Sequence, residues 1–167
     1  ANLNPVEEIK QVLLECGYQV EVEVFDYNHQ LPEAKIADRL EIEPQDSITV
    51  IKKLYYADQQ PAAFCVDKFA SQTLSDDLTK EDLAETIYDL FAKQVDKVIT
   101  WDKTEISTVL SSEEESVAEA FGFEQVQSLL KLDSISFAAD HTPLLYSTEY
   151  YDTDLVKFSL IRQKNSM

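Results

Sequence analysis

Glycine is nearly missing from this chain: two in 167 residues. That scarcity removes the Gly-rich phosphate loops. There is no GxGxxG, no Walker sequence and no Gly-hinged lid, so the common nucleotide-binding fingerprints are absent. Basic residues are also scarce. Fourteen Lys and Arg face 32 Asp and Glu, a formal net charge of −18. Nucleic-acid affinity rests on cations that neutralise phosphates, so this chain alone is not expected to bind DNA or RNA. Arginine is limited to Arg39 and Arg162. Cysteine is limited to Cys16 and Cys65, in different predicted elements. Two are too few for a disulfide framework or a CxxC metal site, and a reducing, cytoplasmic compartment is the simpler expectation. No hydrophobic run reaches the length of a membrane span, and no signal peptide is evident.

What remains is the composition of a folded domain. The hydrophobic fraction is 44% and the aromatic fraction 10%, enough to build a core. The length fits one domain over residues 1–167. The chain starts at Ala1 rather than Met, and reads as a processed product or a piece of a longer protein.

The chain also states one pattern twice. Asp46 to Phe69 reads DSITVIKKLYYADQQPAAFCVDKF, and Ser128 to Tyr151 reads SLLKLDSISFAADHTPLLYSTEYY. A shift of 82 aligns them without a gap, placing Tyr55 on Phe137, Pro61 on Pro143 and Asp67 on Glu149. Upstream, with one residue of slack, Ala37, Leu40 and Ile42 fall on Ala118, Phe121 and Phe123. Each copy reads as helix, loop, strand, turn, strand. Two such halves in a small domain imply a pseudo-twofold axis, with clefts where they meet.

Periodicity fills in the rest. Asn4-Pro5 opens a first helix that Gly17 ends. Tyr18 to Tyr27 alternates, with Val20, Val22 and Val24 on one side. Pro32 starts a short helix to Leu40, with Ile36, Ala37 and Leu40 inward. After the first hairpin, Thr79 and Asp82 form a capping-box pattern before one helix from Lys80 to Gln94. A strand is expected from Lys97 to Leu110, and then a helix capped by Ser111 or Ser112 that runs to Gly122. A last strand is expected from Leu155 to Gln163. The sum is α+β: a mainly antiparallel sheet with flanking helices.

The blocks IADRLEIEPQDSITVIKKLYYADQQP, TIYDLF at Thr86, VAEAFGF and YYDTDLVKF carry a resemblance. In that order and spacing, the chain resembles the effector-binding UTRA domain of GntR-type bacterial transcription regulators of the HutC branch. The resemblance implies a chorismate lyase-like fold. It implies a homodimer that senses a small metabolite: a sugar, a sugar phosphate or a less charged effector. DNA would be bound only through an N-terminal winged helix-turn-helix domain absent from this chain. No cofactor and no metal is implied.

The same resemblance points to site residues. Lys53 stands at the first basic position before the Ala-Asp turn and Tyr55 at the second. Lys53 reads as an anion contact or a surface lysine, Tyr55 as a contact or core packing. Thr86 matches a hydroxyl that meets the effector at a helix start. Tyr151 matches a ligand-facing aromatic. Glu149, with its mate Asp67, reads as a hydroxyl or amine contact, or as one of two exposed strand carboxylates. Asp154 is expected to fix a turn and Phe158 to join the core. Both arginines of the family ending are replaced, by Asp152 and Leu155, and the glutamate of amino-sugar sensors by Leu145, so the effector is expected to be less anionic than a hexose phosphate. Two other classes stay open: a chorismate lyase-like enzyme and a ligand-free dimerisation module. Neither His29 nor His141 has a sequence neighbour that marks a dyad, which argues against an enzyme.

Overall fold

The computed structural model describes residues 1–3, 6–74, 78–95 and 97–165. The expected cap at Asn4-Pro5 lies outside them. Helix α1 (Ile9–Glu15) buries Ile9, Val12 and Leu13. It ends at Gly17, where φ is +90° and Tyr18 N–H reaches back to the Leu13 carbonyl. Strand β1 (Val20–Gln30) follows with the expected alternation, its valines inward and Glu21 and Glu23 exposed. Helix α2 (Ala34–Leu40) buries Ile36, Ala37 and Leu40, as its spacing requires.

Strands β2 (Ile48–Ala57) and β3 (Gln60–Ala70) form the first hairpin. Its turn is Asp58-Gln59, with φ of 45° and 70°. Two successive left-handed residues match the twist of the flanking strands. Asp58 is pinned from both sides: its N–H donates to the Gln19 carbonyl at 2.9 Å, and its carboxylate accepts from Gln19 N–H at 2.8 Å.

The single helix expected from Lys80 to Gln94 is two. Helix α3 (Lys80–Ala84) starts with the Thr79–Asp82 capping box. Glu85 is extended, and Thr86 then caps helix α4 (Ile87–Gln94), accepting from Asp89 N–H at 3.4 Å. A hydroxyl competing for backbone bonds favours such a restart. Strand β4 is Trp101–Leu110, four residues shorter at its start than expected. Helix α5 (Glu115–Phe121) begins from Glu114 without a serine cap, because Ser111 Oγ accepts from Gln127 N–H instead. Strands β5 (Ser128–Phe137) and β6 (Pro143–Tyr151) form the second hairpin. The last expected strand is absent. Asp152 turns the chain there: its carbonyl accepts from Leu155 and Val156 N–H and its carboxylate from Asp154 N–H. Asp152, not Asp154, therefore fixes that turn. Beyond it, Ser159 makes only an isolated bridge to Asn2.

All neighbouring strands are antiparallel, in the order β1-β2-β3-β6-β5-β4. The halves meet at β3 and β6, where Val66 pairs with Thr148, its own mate in the repeat. The gapless alignment needs one correction. The left-handed residues ending α2 and α5, Glu41 and Gly122, stand 81 apart, whereas Asp67 and Glu149 on one sheet face stand 82 apart. The extra residue enters at the turn: four residues, 57–60, lie between the paired Tyr56 and Pro61, and five, 138–142, between the paired Phe137 and Pro143. The counterpart of Tyr55 is thus Ser136 rather than Phe137.

Helices cover both faces. On one, α2 packs on Ile48 and Val50, and α5 on Leu54 and Phe64. On the other, α1 packs on Tyr55, Ala57 and Cys65, and α3 and α4 pack on Ile51 and Phe69. The second face also carries the chain's two ends. Leu3 N–H donates to the Ser159 carbonyl at 2.9 Å, and the Ala1 amino group donates to the Lys157 carbonyl at 2.7 Å.

Candidate functional site

The gap between α1, α4 and the paired chain ends, over the sheet's second half, forms a cleft of about 230 Å³. Alternate residues of three adjacent strands make its floor: Asp102 and Thr104 from β4, Ser134 and Ser136 from β5, Ser147 and Glu149 from β6. Tyr88, Tyr151 and Phe158 wall one side, and Leu3, Val6 and Leu160 lie at the chain ends. A small annex lined by Glu8, Tyr55, Cys65 and Asp67 shares Tyr88, Ser147 and Glu149 with the cleft. Ile106 and Leu132 add apolar surface. A cleft of this size suits a ligand smaller than a drug-sized one, for which ~300–1,000 Å³ is usual. A second hollow, of about 290 Å³, lies at Arg39, Lys103, Glu105, Asp133, Ile135 and Phe137. It takes in none of the residues expected from the sequence.

Hydroxyls and carboxylates on the floor bind one another. Tyr151 Oη donates to Glu149 Oε1 at 3.1 Å. Thr104 Oγ1 lies 2.9 Å from Asp102 Oδ1 and 2.7 Å from Ser134 Oγ. Tyr88 and Ser136 share a side-chain hydrogen bond. Ser147 donates to Asp67, which also accepts from the Cys65 thiol at 3.5 Å. Asp67 is 4% exposed, so the expectation of exposed strand carboxylates fails. Pairing across β3 and β6 sets Asp67 opposite Ser147 and Cys65 opposite Glu149, the two relations being pseudo-twofold images.

Burial changes the acidity here. Desolvation, reinforced by the Asp67 charge, pushes the Glu149 carboxyl up to about 8. Desolvation likewise raises Asp67, against the bond from Ser147 and the nearby Lys53 charge. It raises Glu8 to about 7, although the Tyr88 N–H bond opposes it.

The five residues expected from the sequence do not all meet. Glu149 and Tyr151 line the cleft together, and Tyr55 lines the annex. Lys53 and Thr86 line neither. Lys53 is 2% exposed, which removes the surface-lysine reading. Its Nζ donates to the Glu85 carbonyl at 2.5 Å, and burial lowers its pKa against the pull of Asp67. Thr86 caps α4 with its hydroxyl. Five floor residues, Asp102, Thr104, Ser134, Ser136 and Ser147, drew no attention in sequence. The repeat could have found Ser147 as the mate of Cys65. Glu8 had no signal: its carboxylate accepts from Tyr88 N–H at 2.9 Å across 80 positions of chain.

The UTRA domain family matches residues 15–157, and the chain belongs to that family. Over 131 residues it is 27% identical to the mannosyl-D-glycerate transport/metabolism system repressor MngR of Escherichia coli (strain K12). The match takes in 78% of this chain and 53% of that protein, so the chain spans about half the relative's length. The effector domain of PhnF from Mycobacterium smegmatis superposes with a TM-score of 0.84 at 13% identity, covering 98% of this chain and 100% of that one. A GntR-family regulator from Enterococcus faecalis V583 gives 0.75 at 20% identity, covering 85% and 100%. These two likenesses show the α+β, chorismate lyase-like fold of GntR-regulator effector domains. Among the described residues, no helix is long and apolar enough to cross a membrane.

Proposed function

We propose that this chain, as a single domain, senses a small-molecule effector for a cytoplasmic GntR-type, HutC-branch transcription regulator. It acts as a homodimer and controls operator binding by a separate DNA-binding domain. The observation that carries this reading is the cleft, placed over the sheet's second half and partly closed by the chain's own ends. A ligand that fills it bears directly on Asn2, Leu3, Val6 and Glu7, in the segment before α1. In a regulator whose DNA-binding domain precedes this one, that segment is where a signal leaves.

Binding rather than catalysis fits the lining. Chorismate lyase-like chemistry requires cations for a dicarboxylate, and among the described residues that line the cleft none is Lys, Arg or His. MngR belongs to a mannosyl-D-glycerate system. A glycerate is a carboxylate too, so that compound is not carried over to this chain as its effector.

The test is a thermal-shift screen of the chain against sugars, sugar phosphates, carboxylates and amines. A rise in melting temperature with one class, abolished by Thr104→Trp in a variant that keeps the wild-type melting curve without ligand, supports the sensor. Turnover of chorismate by the chain contradicts it.

A further inference from the structure

The positive features beside the cleft are already engaged. The N-terminal amide of α4 at Tyr88 holds the Glu8 carboxylate at 2.9 Å. The Lys53 ammonium is buried and bonded to the Glu85 carbonyl. A ligand anion would have to displace one of these internal partners. Among the described residues the cleft offers it no cation, and it would face the carboxyl groups of Asp102, Glu149 and Glu7. Like charges enclosed together repel, and an anion would gain no charge-assisted hydrogen bond in return.

A cation meets the opposite situation. Asp102 offers carboxylate oxygens, Glu149 offers a carboxyl that holds its proton up to about pH 8 in the free chain and releases it to water when an ammonium sits beside it, and Ser134, Ser136 and Thr104 offer hydroxyl oxygens between them. The ring of Tyr88 stands at the wall, and aromatic faces attract ammonium groups. Leu132, Ile106, Phe158 and Leu160 add apolar surface, while Asn2, Glu7 and Ser147 keep the remaining lining polar and acidic. That division matches a molecule with a charged head and a small apolar body.

We infer that the effector is a small primary amine, its ammonium seated between Asp102 and Glu149 and its apolar body against Phe158 and Leu132. This rests on the reading of the cleft as the effector site. The ligand differs in sign from a sugar phosphate. It leaves Glu8 in place on α4, so the signal runs through the cleft wall and not through competition at the helix end.

Three probes of similar size separate the possibilities: 2-phenylethylamine, 2-phenylethanol and 3-phenylpropionate. Each is titrated into the 167-residue chain near pH 7, with binding followed by amide chemical shifts. The amine is expected to bind about tenfold tighter than the alcohol, the scale of one hydrogen bond to a charged group. The carboxylate is expected to give no shift in cleft residues. Glu149→Gln and Asp102→Asn should each bring the amine down toward the alcohol, with the alcohol unchanged. Equal or tighter binding of the carboxylate overturns the amine assignment but leaves a ligand cleft standing. An amine preference that survives both substitutions also overturns it. If none of the three moves the cleft resonances, the effector-site reading falls as well.

Discussion

Tyr88 gives its backbone N–H to the carboxylate of Glu8, 2.9 Å away and 80 positions earlier in the chain. Glu8 thereby does for α4 what a local acidic residue does in other helices: it meets the partial positive charge of the first turn. The bond ties the segment before α1 to the cleft wall. Replacing Glu8 by Ala is expected to lower stability by about 0.5–2 kcal/mol, the range for losing a helix cap. Urea denaturation of the two proteins checks it. An unchanged midpoint would mean that the bond contributes nothing in solution.

Lys53 is a structural residue as much as a charged one. Its stem is buried on β2, and its ammonium lies near Asp67. Lys53→Ala leaves a void and weakens the compensation of a buried carboxylate. The expected cost is about 2–4 kcal/mol, the range for large-to-small core changes. Lys53→Met keeps the stem and should cost less than Ala. Equal melting temperatures for wild type and Lys53→Ala would contradict this placement.

The raised pKa of Glu149 has a consequence for pH. Its folded value of about 8 lies above its ordinary 4.5, so the folded chain holds that proton when the unfolded chain has lost it. Stability therefore falls as pH rises from about 4.5 to about 8. Glu8, raised to about 7, adds a fall in the same direction over a narrower window. In Glu149→Gln the dependence should flatten, with the largest relative gain at pH 8. A melting-temperature series across this range reads it directly. Parallel curves for the two proteins would show that Glu149 titrates normally.

The hairpin turn gives a prediction of opposite sign. Gln59 adopts φ 70° without the freedom of glycine. Gln59→Gly is expected to stabilise the chain by about 0.5–1 kcal/mol, because a left-handed residue with a Cβ is strained. Asp58→Gly should not, since it deletes the acceptor for Gln19 N–H. Comparison of the two melting temperatures settles the sign of each.

The repeat was legible because burial enforces it. Ile36 and Leu40 recur as Val117 and Phe121 on a buried helix face, and strand alternation fixes which residues share a side. The one-residue slip was legible as slack but was placed upstream of the hairpin rather than at the turn, because both halves carry apolar residues on both strand faces there. The break between α3 and α4 was hidden for a related reason. Leu83, Ile87, Leu90 and Phe91 keep helical spacing across it and join one core cluster. Within the site, Glu149 and Tyr151 were found because β6 brings alternate residues onto one face. The position of Lys53 was not, since the carbonyl that receives it belongs to a residue 32 positions away. Glu8 and Asp102 reach the site only through tertiary packing, and nothing local marks them.

The central claim is that the cleft over β4, β5 and β6 holds a small molecule. It is tested most directly by incubating the chain with a bacterial small-molecule extract, desalting it, and identifying what denaturation releases by mass spectrometry. The control is Thr104→Trp, which fills the cleft from its half-buried rim and must first show a wild-type melting curve. The account predicts one species retained by the wild type near one molecule per chain and lost from Thr104→Trp. No retained species, or one held equally by both proteins, would contradict it.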